Sequence, residues 1–548
     1  MNVCEEILMN TQVLIIGGGP VGLTLSLAFA KFGVDCTVIE RNVSTTEHPK
    51  MDITNGRSME IFRMLGVADQ INAAAVPSTI CHDVSWIHTL TDQEIYRFNY
   101  PSPYQARKEY KKKNDGTQPM DPAVRISQIV VEPLLRDAAK MLPHVTLRYG
   151  WKFLRLEQDE GGVTAWIEDS RTGEEKQISS EYLVGCDGGN SRVRQGLGIG
   201  LSGDAKIRKR YSVHFISHDK STFEPFGPAW HYQSPVYGTL VSQDGKERYT
   251  LHSFLTEDED PKTVNPYDKV RAFVGKDFHF ALLQAIEWDN NLLVADHYRD
   301  RRVLLAGDST HQYIPTGGYG MNTGVGDAFD LGWKLSAVIN GWGGKNLLSS
   351  IEEERRPIAI RNREGSKRHT EARIAIGEFW PKKLGDQGAD DDKQRSRLAD
   401  KIVEIGNAEN ESLGIEIGYS YLGSSIVCNE NTDKGQDDPL VYHPTTTPGF
   451  RPPALFLNNR TPIFDIFGSG YTLLNFEPKA LDVSSFALGV DQLNLPFTFV
   501  SVEDGHARSI YGYSLVLLRP DQHVAWRSQK LPNDPATIIR ILKKISGN

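Results

Sequence analysis

In this 548-residue chain the groups best suited to chemistry are glycines and carboxylates placed at strand ends. Gly17-x-Gly19-Pro20-x-Gly22 follows the β-branched run 12–16 and precedes a helical segment, 23–32. In such a turn one glycine bends the chain, one lets a pyrophosphate approach, and one lets helix and strand pack closely. The helix starting there offers unpaired N–H groups and its positive dipole end to phosphates. Gly33 can end that helix, and Cys36–Glu40 reads as the next strand. Glu40 then falls where a carboxylate accepts from ribose hydroxyls. The complete β-α-β unit predicts an adenine dinucleotide ligand and leaves FAD and NAD both open.

Two further turns have the same character. Asp187-Gly188-Gly189-Asn190-Ser191-x-Val193-Arg194 follows the strand expected over 182–186. An Asp-Gly pair makes the turn, and Ser191 and Arg194 could handle an anion. The stretch 307–324 carries Asp308, Pro315, Gly317, Gly318, Gly320, Met321 and Asn322 between a buried strand (302–306) and a long helix expected over 324–342. Asp308 leaves the strand where its carboxylate can accept from sugar or ribityl hydroxyls. The glycines open the backbone to a flat ligand. A helix starting near Asn322 points its positive end back at that ligand. His311 reads as a hydrogen-bonded structural group.

The elements that hold these turns follow from the pattern. Helices are expected over 57–65 and 128–141, and paired strands over 147–158 and 163–169. From about 208 to 294 the texture changes to short strands (YSVHFI, AWHYQ, YGTLVSQ, RYTLHSFL), which reads as an antiparallel sheet inserted into an α/β frame. Segments 351–412 are helical and charged, and the hydrophilic patch 382–397 reads as an exposed connection. Residues 442–453 look like a linker, and 454–548 like a third small unit. The basic run 107–113 reads as a solvated loop.

Composition excludes several classes. Net charge is −9, with 39% hydrophobic and 24% charged residues, which suits a globular protein and disfavours nucleic acid as a partner. The five cysteines never fall in C-x-x-C spacing, so neither a disulfide framework nor a metal site is expected, and the compartment should be reducing and cytoplasmic. The apolar stretch 11–30 is broken by three glycines and a proline, so no integral membrane span is expected.

Taken together, the Gly17–Gly22 fingerprint, the Asp187-Gly188 turn, the inserted sheet and the Gly307-Asp308 segment resemble, in that order, the single-component (class A) flavoprotein aromatic hydroxylases with the p-hydroxybenzoate hydroxylase-like fold. Glu40-Arg41, Arg57-Ser58-Met59-Glu60 and Arg125-x-x-Gln128 also resemble FAD-contacting segments of that family. Gly449-x-Arg451-x-Pro453 and the run 517–527 resemble the thioredoxin-like C-terminal domain of its phenol hydroxylase branch, here without C-x-x-C.

The resemblance implies an α/β multidomain fold. A discontinuous Rossmann-like FAD-binding domain would cover 1–80, 120–205 and 295–375. A β-sheet substrate domain would cover 81–119 and 206–294, a helical connection 376–440, and a thioredoxin-like domain 441–548.

It also implies an FAD- and NAD(P)H-dependent monooxygenase that hydroxylates a phenolic or polycyclic aromatic substrate with O2 through a flavin C4a-hydroperoxide, as a homodimer. The cofactor residues would be Gly17, Gly19, Pro20, Gly22, Glu40, Arg41, Arg57, Gln128, Asp187, Asp308, Pro315, Gly318, Gly320, Met321 and Asn322. Pro315 and Gly318 would flank the reacting ring. A general base helps a phenol react. The inserted sheet offers Tyr211, His214, His231, Tyr232, Tyr237 and His252, with His214 and Tyr232 the candidates carried forward. Baeyer–Villiger or epoxidising chemistry, or a flavin-bound protein without redox turnover, are the alternatives. The halogenase pattern W-x-W-x-I-P is absent.

Overall fold

The computed structural model describes residues 9–256, 259–381, 389–430 and 438–548. The Gly17 turn lies at one edge of a twisted sheet. Val303–Leu305, Glu175–Gly185, Met9–Ile16, Cys36–Glu40 and Val145–Tyr149 run parallel in that order. Their Val, Ile and Leu side chains are buried on both faces, as a helix-covered parallel sheet requires. Glu175–Gly185 continues antiparallel into a hairpin of Val163–Asp169 and Trp151–Gln158. The single strand expected over 147–158 is therefore two. Gly150, at φ +81°, turns the chain between them, and only the first half joins the parallel sheet.

The helix Pro20–Lys31 packs on this sheet and against the helix Tyr319–Ile339, so closely that a Cβ on Gly332 would lie 2.6 Å from Ala28 Cβ. Tyr319–Ile339 starts five residues before the expected 324, and Gly318 is its N-cap.

A second sheet of seven strands runs Ala281–Asp289, Lys209–Ile216, Arg248–Phe254, Gly238–Ser242, His231–Ser234, Val84–Trp86, Tyr96–Phe98. All its pairings are antiparallel except His231–Ser234 with Val84–Trp86. One face carries Tyr211, Val213, Phe215, Tyr232, Leu240, Tyr249 and Leu251 into an apolar core. The opposite face looks toward the parallel sheet's glycine turns.

The run 107–113 is not a loop. It completes the helix Pro103–Lys113, which begins with a capping box between Ser102 and Gln105 and ends at Asn114 in the left-handed region. Of the patch 382–397, residues 382–388 lie outside the described residues, as does Cys4; from Ala389 the chain is helical to Ile405.

The C-terminal part is thioredoxin-like. Its strands run Phe497–Ser501, Tyr471–Asn475, Leu515–Leu518, Val524–Ser528, with the first pair parallel and the others antiparallel, accompanied by helices Ser484–Gln492, Gly505–Tyr511 and Pro535–Ile545. Buried ion pairs bind it to the rest. Arg451 bonds Glu60, and Arg519 bonds Glu354 and Asp330 on the two long helices. Among the described residues no helix is long and apolar enough to cross a membrane, and no cluster of side chains could hold a metal.

Candidate active site

The three glycines of the first turn have three distinct environments. Gly17 sits at φ +109°, and a Cβ there would meet Cys186 O at 2.3 Å; at Gly22 it would meet Gly17 O at 2.0 Å. At Gly19 it would meet nothing within 4 Å. Gly17 and Gly22 are thus needed for the turn and for close packing, while Gly19 faces open space. The helix behind them has no side-chain cap, so its first N–H groups face the same space. Glu40 is fixed at the edge of that space. Its carboxylate accepts from the N–H groups of Gly18 and Asn42, both at 2.8 Å.

The 307–324 segment meets this turn directly. A Cβ on Gly307 or Gly324 would fall 2.9 or 2.5 Å from Val21 Cγ2, so both pack on the first turn of the fingerprint helix. Gly317 and Gly318 adopt φ +88° and +67°, and Gly318 N–H closes the turn onto Pro315 O at 2.9 Å. The helix from Tyr319 has no side-chain cap, and a Cβ on Gly320 would again meet nothing within 4 Å. Two uncapped helix N-termini and two open glycines therefore line one groove.

Asp308 is exposed at this groove, yet the protein around it desolvates its carboxyl enough to push its pKa up, against the pull of His311 and Lys50. That combination marks a recess. Asp187 is also raised by burial. One of its oxygens accepts from Arg192 and Val193 N–H, while Oδ1 is buried without a partner. Orphaned acceptors, open glycines and free helix termini fit a dinucleotide that supplies hydroxyls and phosphates. An open polar cleft of about 1020 Å³ lies instead among Thr11, Asp35, His144 and Ser180, at the N-terminal edge of the parallel strands. Ligands of such sheets bind at the other edge.

Facing the groove is the polar side of the seven-stranded sheet, and its register arranges that side in rows. The first row is Gln284, His214, Thr250, Val241, His231; the second Ile286, Ser212, His252, Thr239, Gln233; the third Trp288, Arg210, Phe254. Segment 48–53 ties the first row to the 318 turn. His48 Nδ1 meets Gln284 Oε1 at 3.1 Å, Trp230 Nε1 donates to Asp52, and Asn322 donates to Ile53 O at 3.2 Å.

Residues 10–366 match the family model for the FAD binding domain. The chain belongs to that family. It is 34% identical to the FAD-dependent monooxygenase apdD of Emericella nidulans, covering 100% of this chain and 92% of the relative. It is 30% identical to a putative polyketide hydroxylase of Streptomyces halstedii, over 95% of this chain and 94% of that one. The structure of the rebeccamycin biosynthetic enzyme RebC with reduced flavin superposes with a TM-score of 0.88 at 32% identity, covering 98% and 99% of the two chains. This protein is thus an FAD-dependent monooxygenase of the aromatic hydroxylase group.

In this monooxygenase the groove brings together Gly17, Gly19, Pro20, Gly22, Glu40, Asp187, Asp308, Pro315, Gly318 and Gly320 of the expected residues, while Met321 packs partly buried against the apolar cluster of Leu23 and Val325. Gln128 starts its helix beside them, with its N–H donating to Met51 O at 3.0 Å and its amide to Glu132 at 2.8 Å. Arg41 is exposed at the strand end. The Asn322 amide is already engaged, accepting from Asn55 N–H and donating to Gly318 O, so its side chain braces the turn.

Two expectations need correction. Arg57 is buried and bonds Glu60, Gln522 and the Asp521 carbonyl, so it clamps the C-terminal part rather than the groove. Tyr232 points to the far side of its sheet. It is 1% exposed in the apolar core, its hydroxyl donates to Gly227 O at 3.3 Å, and burial holds the phenol well above its usual range. Tyr211 shares that core and is not a base either. Replacing Tyr232 by Phe is expected to leave turnover within about twofold and to cost about 1 kcal/mol in a urea melt. A drop of about tenfold in turnover with full flavin content would return it to the chemistry.

His214 stands on the correct face. Its Nδ1 lies 3.0 Å from Tyr249 O, an atom that only accepts, so the proton sits on Nδ1. Nε2 is then a bare lone pair, buried and unpartnered. Burial, opposed by that hydrogen bond, keeps the ring neutral, its pKa down at about 4. His311, as expected, is structural, bonding Asp327 at 2.8 Å. The sequence reading missed Asp52, Trp230, Arg210 and Arg373. For Arg210 the local signal is the alternation in Arg210-Tyr-Ser-Val-His-Phe, where polar residues fall on one face.

Proposed function

We propose that this monooxygenase hydroxylates a phenolic or polycyclic aromatic compound held between the Pro315–Asn322 turn and the polar face of the seven-stranded sheet. The observation that carries this is the convergence of two uncapped helix N-termini, with open space at Gly19 and Gly320, opposite a sheet face bearing an unprotonated histidine nitrogen. When bound and reduced by NADH or NADPH, FAD supplies the electrons that activate O2.

The chain's residues have separate tasks in this reading. Gly17, Gly19, Pro20 and Gly22 admit the pyrophosphate to the first helix, and Glu40 with Arg41 meets the ribose. Gln128, Asp187 and Asp308 take up hydroxyls of the sugar and ribityl parts. The N–H groups after Gly318 place a fixed positive end against charge that develops on the ring, without reorganisation. Pro315 and Gly318 shape the pocket beside the ring. His214 Nε2, a neutral lone pair, accepts a hydrogen bond from the phenol hydroxyl, which orients the ring and raises its electron density. The four-part domain division read from the sequence, the cytoplasmic location and a homodimer belong to the same reading; the last is measured by light scattering.

Anaerobic stopped-flow reduction by NADPH and NADH across a panel of phenols tests it. Reduction faster by about tenfold with a phenol that is then hydroxylated is the expected result. A protein that purifies colourless and stays apo with added FAD overturns the reading.

A further inference from the structure

The third row of the polar sheet face holds a cation with no counter-charge. The Arg210 side chain makes no hydrogen bond or ion pair among the described residues, and its guanidinium lies 4.1 Å from the centre of the Phe254 ring, its cross-strand neighbour. Arg208 stacks on the same ring at 3.9 Å. Arg373 approaches the second row from the helix Asn346–Glu378, donating to Thr239 at 3.0 Å, but its charge is already taken by Glu409. Burial, Arg373 and Arg208 all press the Arg210 pKa downward, as for a cation lacking an anion. His252 in the second row is kept neutral by burial and then by Arg210, so it adds no charge. Arg210 is half-buried, so its guanidinium keeps an open side on which an anion can dock.

Its position gives the ligand a length. Arg210 and His214 are four residues apart on one strand, about 13 Å at the usual rise. The His214 row is tied to the Gly318 turn through segment 48–53, so Arg210 lies on the same sheet face at the end away from that turn.

We propose that the substrate carries an acidic group, ionised at neutral pH and delocalised over two oxygens, which docks on Arg210 while the ring to be hydroxylated lies about 13 Å away beside His214. This rests on the hydroxylase reading above and specifies its substrate class. The planar guanidinium suits a carboxylate or an acidic enol equally.

The test is titration of the FAD-loaded protein, followed by the perturbation of its visible flavin spectrum. The carboxylate arm pairs benzoate, 2-naphthoate, anthracene-2-carboxylate and pyrene-1-carboxylate with their methyl esters. The enol arm pairs 4-hydroxycoumarin with 4-methoxycoumarin. In at least one arm the anion is expected to bind about tenfold or more tighter than its neutral partner. Arg210→Met should weaken anion binding about 10- to 100-fold and leave the neutral partner unchanged, and Arg210→Lys should restore part of the loss. Equal binding of anion and neutral partner, binding of neither across both arms, or a preference that survives in Arg210→Met overturns the inference. A protein that takes no FAD fails at the earlier reading, before this titration begins.

Discussion

Gly19→Ala is expected to give a protein that folds as well as the original and binds FAD about 5- to 150-fold more weakly. Both halves follow from the local geometry. Gly19 has φ −77° and ψ −176°, a conformation open to alanine, and the added Cβ meets no protein atom within 4 Å. Alanine also lowers the entropy of the unfolded chain, so the apo-protein should gain about 0.4–1 kcal/mol. The space the methyl enters is where a pyrophosphate must approach the uncapped helix. Overpacking there costs about 1–3 kcal/mol, roughly 5- to 150-fold in Kd.

Gly22→Ala separates the two effects. Its Cβ would lie 2.0 Å from Gly17 O, so helix and turn must part. That variant should lose both melting temperature and FAD. Flavin-fluorescence titration and apo-protein melts measure both quantities. Normal FAD affinity in Gly19→Ala would move the phosphate site elsewhere.

How far these residues could be read in advance depends on the range of the contacts that fix them. The Gly17–Glu40 unit is legible because strand, turn, helix and strand follow one another within thirty residues. Its sheet neighbours arrive from residues 145, 175 and 303 onward, and no local pattern reports that order. In the inserted sheet the alternation is visible, but which face meets the cofactor is set by the packing of another unit. His231 and Tyr232 are adjacent and point to opposite sides, so a one-residue ambiguity sends a candidate base into the core.

The glycines at 317–320 read as loop by composition. The structure starts the helix among them because Gly318 can cap it from the left-handed region and Asn322 ties the first turn to Ile53. Arg57 misleads for a related reason. Its helix is local, but its partners Asp521 and Gln522 lie more than 450 residues away. The helix Pro103–Lys113 carried a readable signal, since Ser102, Pro103 and Gln105 form its start; charge density outweighed it.

Arg519→Met is expected to be the most destabilising single change at the C-terminal interface, by about 3–5 kcal/mol. Arg519 is fully buried and holds Glu354 at 2.6 and 2.8 Å, Asp521 at 2.6 Å and Asp330 at 3.4 Å. Without it, Asp330 and Glu354 keep only Lys334 as ion-pair partner, at 2.9 and 2.6 Å, and Asp521 keeps only His523 beside it.

The pH dependence gives the change a signature. Against burial, Arg519 and Lys334 hold Glu354 down at about 2. Its contribution is therefore present above the unfolded carboxyl range and is lost as pH falls toward 2. Burial holds Asp330 up at about 7 despite Lys334, so its contribution has the opposite sign and weakens stability as pH rises. In the variant Glu354 joins Asp330 in that second class. The stability gap between the two proteins should thus be widest near pH 8 and narrow toward pH 5 in urea melts.

Asp330 and Lys334 sit on the helix that Gly318 caps, so FAD should counter the loss. Ligand at about 100 times Kd returns about 2.7 kcal/mol to either protein. A loss below about 1 kcal/mol, or a gap independent of pH, would show that the thioredoxin-like part is held by its apolar contacts alone.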